Sequence, residues 1–577
     1  MNSVKQLIDG LEGDYLEILG DWEPAVERAL ESLEARSASQ LLWARKGSLW
    51  SSDPAVVRDI EDRLGWLDLP RSMRVEVPRL EALAIELAER QMERAVLLGM
   101  GGSSLAPEVL REVFGVGPRC VDLVVLDATD PAQIRRVEES GDLSRTVFLA
   151  SSKSGTTAET RTLLEYFAAR LQDIVGERWT EHFIVISDPG TPLVALADEE
   201  GFLANYTATP DVGGRYSALT LFGLVPGALI GMDCDRLLQS AKSMAHRCRA
   251  AVSEAENPAF RLGAALAVMA QAGRDKLTLI TSPRLASFGW WAEQLIAEST
   301  GKSGTGILPV EGEPAQPAES YGSDRVFVYV RLRGDANEET DGRLDAIASH
   351  GHPIIVTQLG EPYDLGGEFF RWEMATAIAG LVLGINPFDQ PNVEEAKDGA
   401  REALAGYEQT GTLDEAEPLL VEGGLTLYGH RGNETAATDY VGRFVRQAKP
   451  GDYIALMAYV DRTPEHTALL QETRALLTRH LGVATTMGFG PRFLHSTGQL
   501  HKGGKNNGLF IQITQVDDQD LDIPGRGYSF GVLKTAQAAG DMAALVQRER
   551  GVIRVRVGSN VAAGLAELYD LVARALA

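Results

Sequence analysis

Val147-Phe148-Leu149-Ala150-Ser151-Ser152-Lys153-Ser154-Gly155-Thr156-Thr157 is an apolar run that ends in hydroxyls, one lysine and one glycine, and a helical pattern begins near Ala158. A strand is therefore predicted to stop where a helix starts. Backbone N–H groups at a helix N-terminus point outward and carry partial positive charge, and Ser and Thr hydroxyls add donors. Such a turn can hold a phosphate. The competing reading is an ordinary helix cap. A cap needs one or two such residues, whereas here six Ser, Thr and Lys residues surround one Gly.

The same strand–turn–helix alternation extends on both sides of this stretch. Ala95–Met100, Val121–Leu126 and Phe183–Ile186 are buried-type strands with helical segments between them. The alternation predicts a doubly wound parallel sheet, in which ligands bind at the carboxyl ends of strands. A helical stretch from about 220 to 273 closes this first block. A second block starts at Lys276–Ile280 and continues through a helix over Trp290–Ser299, strands at Val326–Val330 and Ile354–Val356, and a long helix around Met374–Leu383 that Pro387 is expected to end. Glu311–Pro317 reads as a turn-rich loop. Beyond about 412 a third block has its clearest strands at Tyr453–Tyr459, Leu509–Ile513 and Val552–Val557. Residues 1–90 read as helical, with Trp22, Val26, Leu30 and Leu33 at helical spacing and no clear strand.

Length and charge narrow the function. A chain of 577 residues holds more than one domain. A net charge of -26 argues against a general nucleic-acid binder, and it means that an anionic substrate needs a locally positive pocket. Cys120, Cys234 and Cys248 are irregularly spaced, so neither a disulfide framework nor a zinc site is indicated. The opening Met1–Gln6 lacks the apolar core of a signal peptide. The longest apolar stretch, Leu219–Met232, is too short to span a bilayer and contains Pro226. A cytoplasmic location is the expectation.

Five further segments carry possible chemistry. Gly99-Met100-Gly101-Gly102-Ser103-Ser104 lacks the full G-x-G-x-x-G spacing; it reads equally as a tight turn or as a glycine surface that admits a small polar ligand. In Gly213-Gly214-Arg215-Tyr216-Ser217, Arg215 is either a surface arginine or a group that stabilises a developing oxyanion. Gln294 and Glu298 are four apart on one helix face. Glu298 and Lys302 suit an ordinary surface pair; alternatively Glu298 is a proton-transfer base beside a Gln that binds hydroxyls. Lys397 suits a solvated pair with Glu394. His495-Ser496-Thr497-Gly498-Gln499-Leu500-His501 places two histidines in a glycine-rich basic loop, with no acid nearby in sequence to complete a metal site.

In this order the segments resemble phosphoglucose isomerases over roughly residues 94–400, and look most like the isomerase half of bifunctional transaldolase/phosphoglucose isomerase proteins, a likeness that extends to the third block. No transaldolase half is expected, because a (β/α)₈ barrel takes about 250 residues and the first 90 read as helices. The resemblance implies an α/β protein with two sugar-isomerase (SIS) domains, parallel sheets flanked by helices, a helical N-terminal segment and a C-terminal α/β block. The expected division is 1–90, 91–273, 274–411 and 412–577. The implied activity is interconversion of glucose 6-phosphate and fructose 6-phosphate through an enediolate, with no metal or organic cofactor and a homodimeric assembly.

The resemblance assigns phosphate binding to Ser152, Ser154, Thr157 and Thr160, with Lys153 lining the site. It places Gly102, Ser103 and Gly214 near the sugar, makes Glu298 the base, and gives Arg215 to the enediolate. Gln294 and Gln390 bind hydroxyls, and Lys397 assists ring opening with a histidine. The sequence departs from the family pattern at Ser154-Gly155 and at Pro391-Asn392, and it has no Gly-Gln-His segment between Lys302 and Phe388. His501 in Gly498-Gln499-Leu500-His501 is expected to supply that histidine, with His495 as the alternative. The rival readings are a non-catalytic sugar-phosphate sensor, which needs neither Glu298 nor Arg215, and an isomerase of another hexose phosphate such as mannose 6-phosphate.

Overall fold

A computed structural model describes residues 3–11, 13–414, 416–430 and 432–577; Met1 and Asn2 of the opening segment lie outside them. Three sheets organise the chain. The first comprises β2 (Arg94–Gly99), β3 (Asp122–Leu126), β4 (Thr146–Ser151), β5 (Phe183–Ser187) and β6 (Ala204–Thr207). It has the order β3-β2-β4-β5-β6 and is parallel throughout. The chain runs from β2 to β3 on one side and returns to β4 on the other, so the direction of winding reverses between β2 and β4. A crevice therefore opens above their carboxyl ends, where ligands of such sheets bind.

The second sheet contains β7 (Lys276–Thr281), β8 (Leu308–Val310), β9 (Arg325–Leu332) and β10 (Ile354–Leu359), all parallel. Its edge is β1 (Tyr15–Ile18), which pairs antiparallel with β10, Tyr15 opposite Thr357. This strand lies in the stretch read as helical. Four residues are too few for a period to show, and the strand exists because β10 offers an open edge. Ion pairs from Arg261 to Glu17 and from Arg371 to Asp14 anchor it.

In the third sheet β13 (Tyr453–Tyr459), β15 (Gly508–Gln515) and β16 (Gly551–Val557) match the expected strands. It also holds β14 (Ala484–Phe489) and the antiparallel hairpin β11 (Leu420–Glu422)–β12 (Leu425–Tyr428), in the order β11-β12-β16-β15-β13-β14. The run Thr485-Thr486 and Gly488 deprive β14 of a continuous apolar signature.

The N-terminal helices pack on the body: Trp66 stacks on Tyr216, 5.6 Å between ring centres, and Trp50 Nε1 donates to Ala377 O at 3.0 Å. They share one apolar core with the helix Pro258–Gln271 and the long helix Leu365–Leu383. That long helix stops at Gly384 in the left-handed conformation (φ 74°), a residue type suited to it. Pro387 follows and packs where a Cβ on Gly380 would lie, 2.8 Å away, so the glycine rather than the proline ends the helix. Among the described residues no helix is long and apolar enough to cross a membrane.

Candidate active site

The quoted stretch forms β4, a turn, and the helix Ala158–Val175 at the crevice. Gly155 is left-handed (φ 66°), and a Cβ there would sit 2.7 Å from Thr191 Cβ. Ser152 Oγ and Thr157 Oγ1 bond each other at 2.8 Å, and Ser187 Oγ donates to Ser152 O at 2.7 Å. Thr157 is the N-cap residue, yet its side chain makes no capping hydrogen bond. The Thr157 side chain therefore does not cap this helix, and the first-turn N–H groups take no bond from it. Thr160 Oγ1, in that first turn, is buried without a hydrogen-bond partner. Ser154 is exposed, and its hydroxyl accepts from Thr156 N at 3.2 Å. Lys153 is turned toward Asp188, with which it pairs, and donates to Pro210 O at 3.3 Å; burial pulls its pKa down against the opposing carboxylate.

Gly101 and Gly102 follow β2. A Cβ on Gly102 would lie 2.0 Å from Gly214 O, and one on Gly101 would lie 2.8 Å from Gln294 Nε2 and 2.9 Å from His495 O. The glycines thus admit other parts of the protein: the Gly214-Arg215 backbone, the helix Phe288–Thr300 and the His495 loop. Ser103 beside them is buried, and its carbonyl accepts from Ser151 Oγ at 3.2 Å.

Arg215 is buried, and its guanidinium is fully engaged. Nε donates to Ser299 Oγ at 2.7 Å, Nη1 to Gln390 Oε1 at 3.1 Å, and Nη2 to Pro387 O at 2.7 Å and Asp389 O at 3.0 Å. Its Nη1 lies 3.2 Å from Glu298 Oε1. Gln294 Nε2 donates to Glu298 Oε2 at 3.1 Å and to His495 O at 2.9 Å. Both oxygens of Glu298 are thus oriented. A carboxylate aimed by a guanidinium and an amide is equipped to move a proton between neighbouring carbons while the arginine meets oxyanion charge.

Lys302 does not pair with Glu298. It is buried and donates to the side chain of Asp389 at 2.7 Å and to its carbonyl, holding the loop that carries Gln390; burial and the nearby Arg215 pull its pKa down to about 8.

The two histidines lie in different surroundings. His501 is buried among Phe510, Tyr453 and Phe493, with ring centres 5.0, 6.3 and 6.3 Å away, and neither ring nitrogen has a hydrogen-bond partner. Burial, with Lys502 and Arg550 nearby, keeps it neutral far below the ordinary histidine range. His495 instead faces the crevice side, with Nε2 3.0 Å from Glu159 Oε1. Burial pushes the Glu159 carboxyl up, but His495 and the charge of Lys397 outweigh it and hold the pKa below the ordinary value. Lys397 itself pairs with Glu394 at 2.7 Å on a half-exposed face, as its spacing suggests. Gln499 accepts from Asn392 N at 2.8 Å and donates to Gly301 O at 2.9 Å, and so staples the end of the Glu298 helix to the start of the Lys397 helix.

Glu159 is the functional candidate that sequence reasoning missed. It stands inside the phosphate-loop motif, but its partner is 336 positions away. Among the described residues no cluster of three or more His, Cys, Asp or Glu side chains is arranged to hold a metal.

The family model of phosphoglucose isomerase matches residues 85–307, which spans the crevice loop, Arg215, Gln294 and Glu298. The chain is 30% identical over 366 residues to a probable glucose-6-phosphate isomerase of Haloarcula marismortui, covering 57% of this chain and 82% of that protein. It is 31% identical over 389 residues to the glucose-6-phosphate isomerase of Thermus thermophilus, covering 59% and 90%. The fold resembles the crystal structure of a glucose-6-phosphate isomerase from Chlamydia trachomatis at a TM-score of 0.54 and 20% identity, over 67% of this chain and 86% of that one. With sequence likeness running through most of the length of those relatives, this chain belongs to the phosphoglucose isomerase family.

Proposed function

We propose that this chain interconverts glucose 6-phosphate and fructose 6-phosphate by proton transfer through an enediolate. The observation that carries the reading is the pairing of buried Arg215 with the partly buried Glu298, 3.2 Å apart, with the second Glu298 oxygen held by Gln294. The phosphate binds at the turn of Ser152, Ser154, Thr157 and the helix N-terminus, with Thr160 and Lys153 at its margin, which places the carbonyl end of the sugar toward Glu298. His495, with Lys397 near it, opens the ring. Glu298 takes the proton from C2, negative charge grows on the enediolate oxygens beside Arg215, and return of the proton to C1 gives the ketose. A site with little water strengthens that electrostatic contact.

A sugar-phosphate sensor needs the phosphate turn alone and leaves the oriented Glu298 without work. Cytoplasmic location and a homodimeric assembly complete the proposal, the latter to be checked by light scattering. The activity is tested by incubating the protein with glucose 6-phosphate in D₂O. Fructose 6-phosphate with deuterium exchanged at the transferred position is expected. Absence of both exchange and product with glucose 6-phosphate overturns the reading, and turnover of mannose 6-phosphate instead reassigns the substrate.

A further inference from the structure

The helix Phe530–Gln547 of the third block brings Gln537 into the first block. Gln537 Nε2 donates to Glu159 Oε1 at 2.7 Å, and Gln537 Oε1 accepts from Thr129 Oγ1 at 2.7 Å. The two contacts together define the amide orientation, since a flipped amide would set its carbonyl oxygen against the carboxylate. The Glu159 oxygen that takes this bond is the one facing His495 Nε2. Thr129, Glu159 and Gln537 are all buried, where hydrogen bonds are strong and an unmet group is costly.

Four side chains thus form one chain of contacts, Thr129–Gln537–Glu159–His495. Thr129 follows β3 and Glu159 belongs to the phosphate-loop helix, while Gln537 and His495 come from the third block. The carboxyl of a glutamate rotates freely about its last torsion unless held. Here Gln537 supplies the second hold that sets which oxygen, in which direction, meets the histidine ring. The charged and titratable groups that face this cluster are His495, Lys397, Tyr459 and, through His495, Glu394.

We propose that Gln537 is a positioning residue which acts through Glu159 to orient His495, so that the third block supports the site through a side chain that would not itself touch substrate. The inference rests on the isomerase reading of the same site.

Two variants test it. Gln537→Leu keeps the bulk and removes the amide; kcat is expected to fall about tenfold with KM within about twofold, because misplacing a catalytic group costs turnover rather than binding. Gln537→Glu can still donate to Glu159 while protonated, and repels it once ionised. Its activity relative to the unmodified chain is therefore expected to decline as pH rises, a titration that a purely structural role would not create. Normal kcat in Gln537→Leu together with an unchanged pH profile in Gln537→Glu overturns the positioning role. Thermal melts identify a variant that has failed to fold, and the pH profile of the second variant then decides.

If the unmodified chain itself shows no isomerisation, the isomerase reading fails, an outcome distinct from an active enzyme indifferent to Gln537.

Discussion

His495 Nε2 lies 3.0 Å from Glu159 Oε1, across 336 positions of sequence, and this contact joins the third block to the helix Ala158–Val175 of the first. It separates two histidines six residues apart in a segment read as one loop, which in the fold comprises a 3-10 turn ending at His495 and a short helix, Gly498–Gly503, that holds His501. One has an acidic partner at the crevice; the other is neutral and surrounded by aromatic rings.

His495→Ala is expected to lower kcat by about a hundredfold, within the range of general acid–base contributions. His501→Phe is expected to keep kcat within about twofold. Both of its ring nitrogens are unpartnered in the fold, and replacing an unsatisfied buried polar group by an apolar one of similar shape is close to neutral. Steady-state kinetics of the two variants, side by side, check the assignment.

Thr157 separates a capping role from a phosphate role. Loss of a capping side chain costs about 1 kcal/mol, but Thr157 makes no capping bond. Thr157→Val is therefore expected to leave the melting temperature nearly unchanged while raising KM for the sugar phosphate about tenfold, the signature of lost binding. Calorimetry and kinetics on one preparation give both readouts.

Arg215 and Glu298 are expected to fail differently from the phosphate residues. Glu298→Gln removes the base and should lower kcat at least about a hundredfold with sugar phosphate still bound. Arg215→Lys keeps a positive charge, but a single ammonium cannot reproduce the fork that reaches Ser299, Gln390, Pro387 and Asp389. A loss of about 10²–10³ in kcat is expected. Direct binding by calorimetry distinguishes lost turnover from lost affinity.

Glu293 predicts a pH dependence of stability. It lines a cavity of about 500 Å³ together with Glu311, Trp290, Arg462 and Arg492. Burial and the neighbouring Glu311 push its pKa up to about 8 from an ordinary value of 4.5. Between those two values the folded chain holds a proton that the unfolded chain has released, so stability falls as pH rises through this window. Glu293→Gln is expected to flatten that slope and to melt about 2 °C higher at pH 8, with little change at pH 5. Thermal melts across the range measure it.

The legible part of the protein was the part encoded in short-range pattern. Apolar runs followed by Gly, Ser or Thr marked β2 and β4 and the crevice between them. The spacing of Gln294 and Glu298 on one helix face put the two side chains in contact, as the bond between them shows. The edge strand Tyr15–Ile18 was hidden because its only justification is the open side of β10. Lys302 read as a surface partner of Glu298, since spacing alone says nothing of burial; in the fold it lies inside, bonded to Asp389.

By itself the sequence determined the alternating α/β architecture and the strand–turn–helix joints at β2 and β4, because strand and helix periods and turn chemistry act over a few residues. Only the tertiary structure decided which histidine meets a carboxylate, that Glu159 and Gln537 bond each other, and that the third block brings them together. Burial and hydrogen bonding between segments hundreds of residues apart set these outcomes: they leave His501 neutral among aromatic rings and give His495 a carboxylate, although the two identical side chains stand only six positions apart.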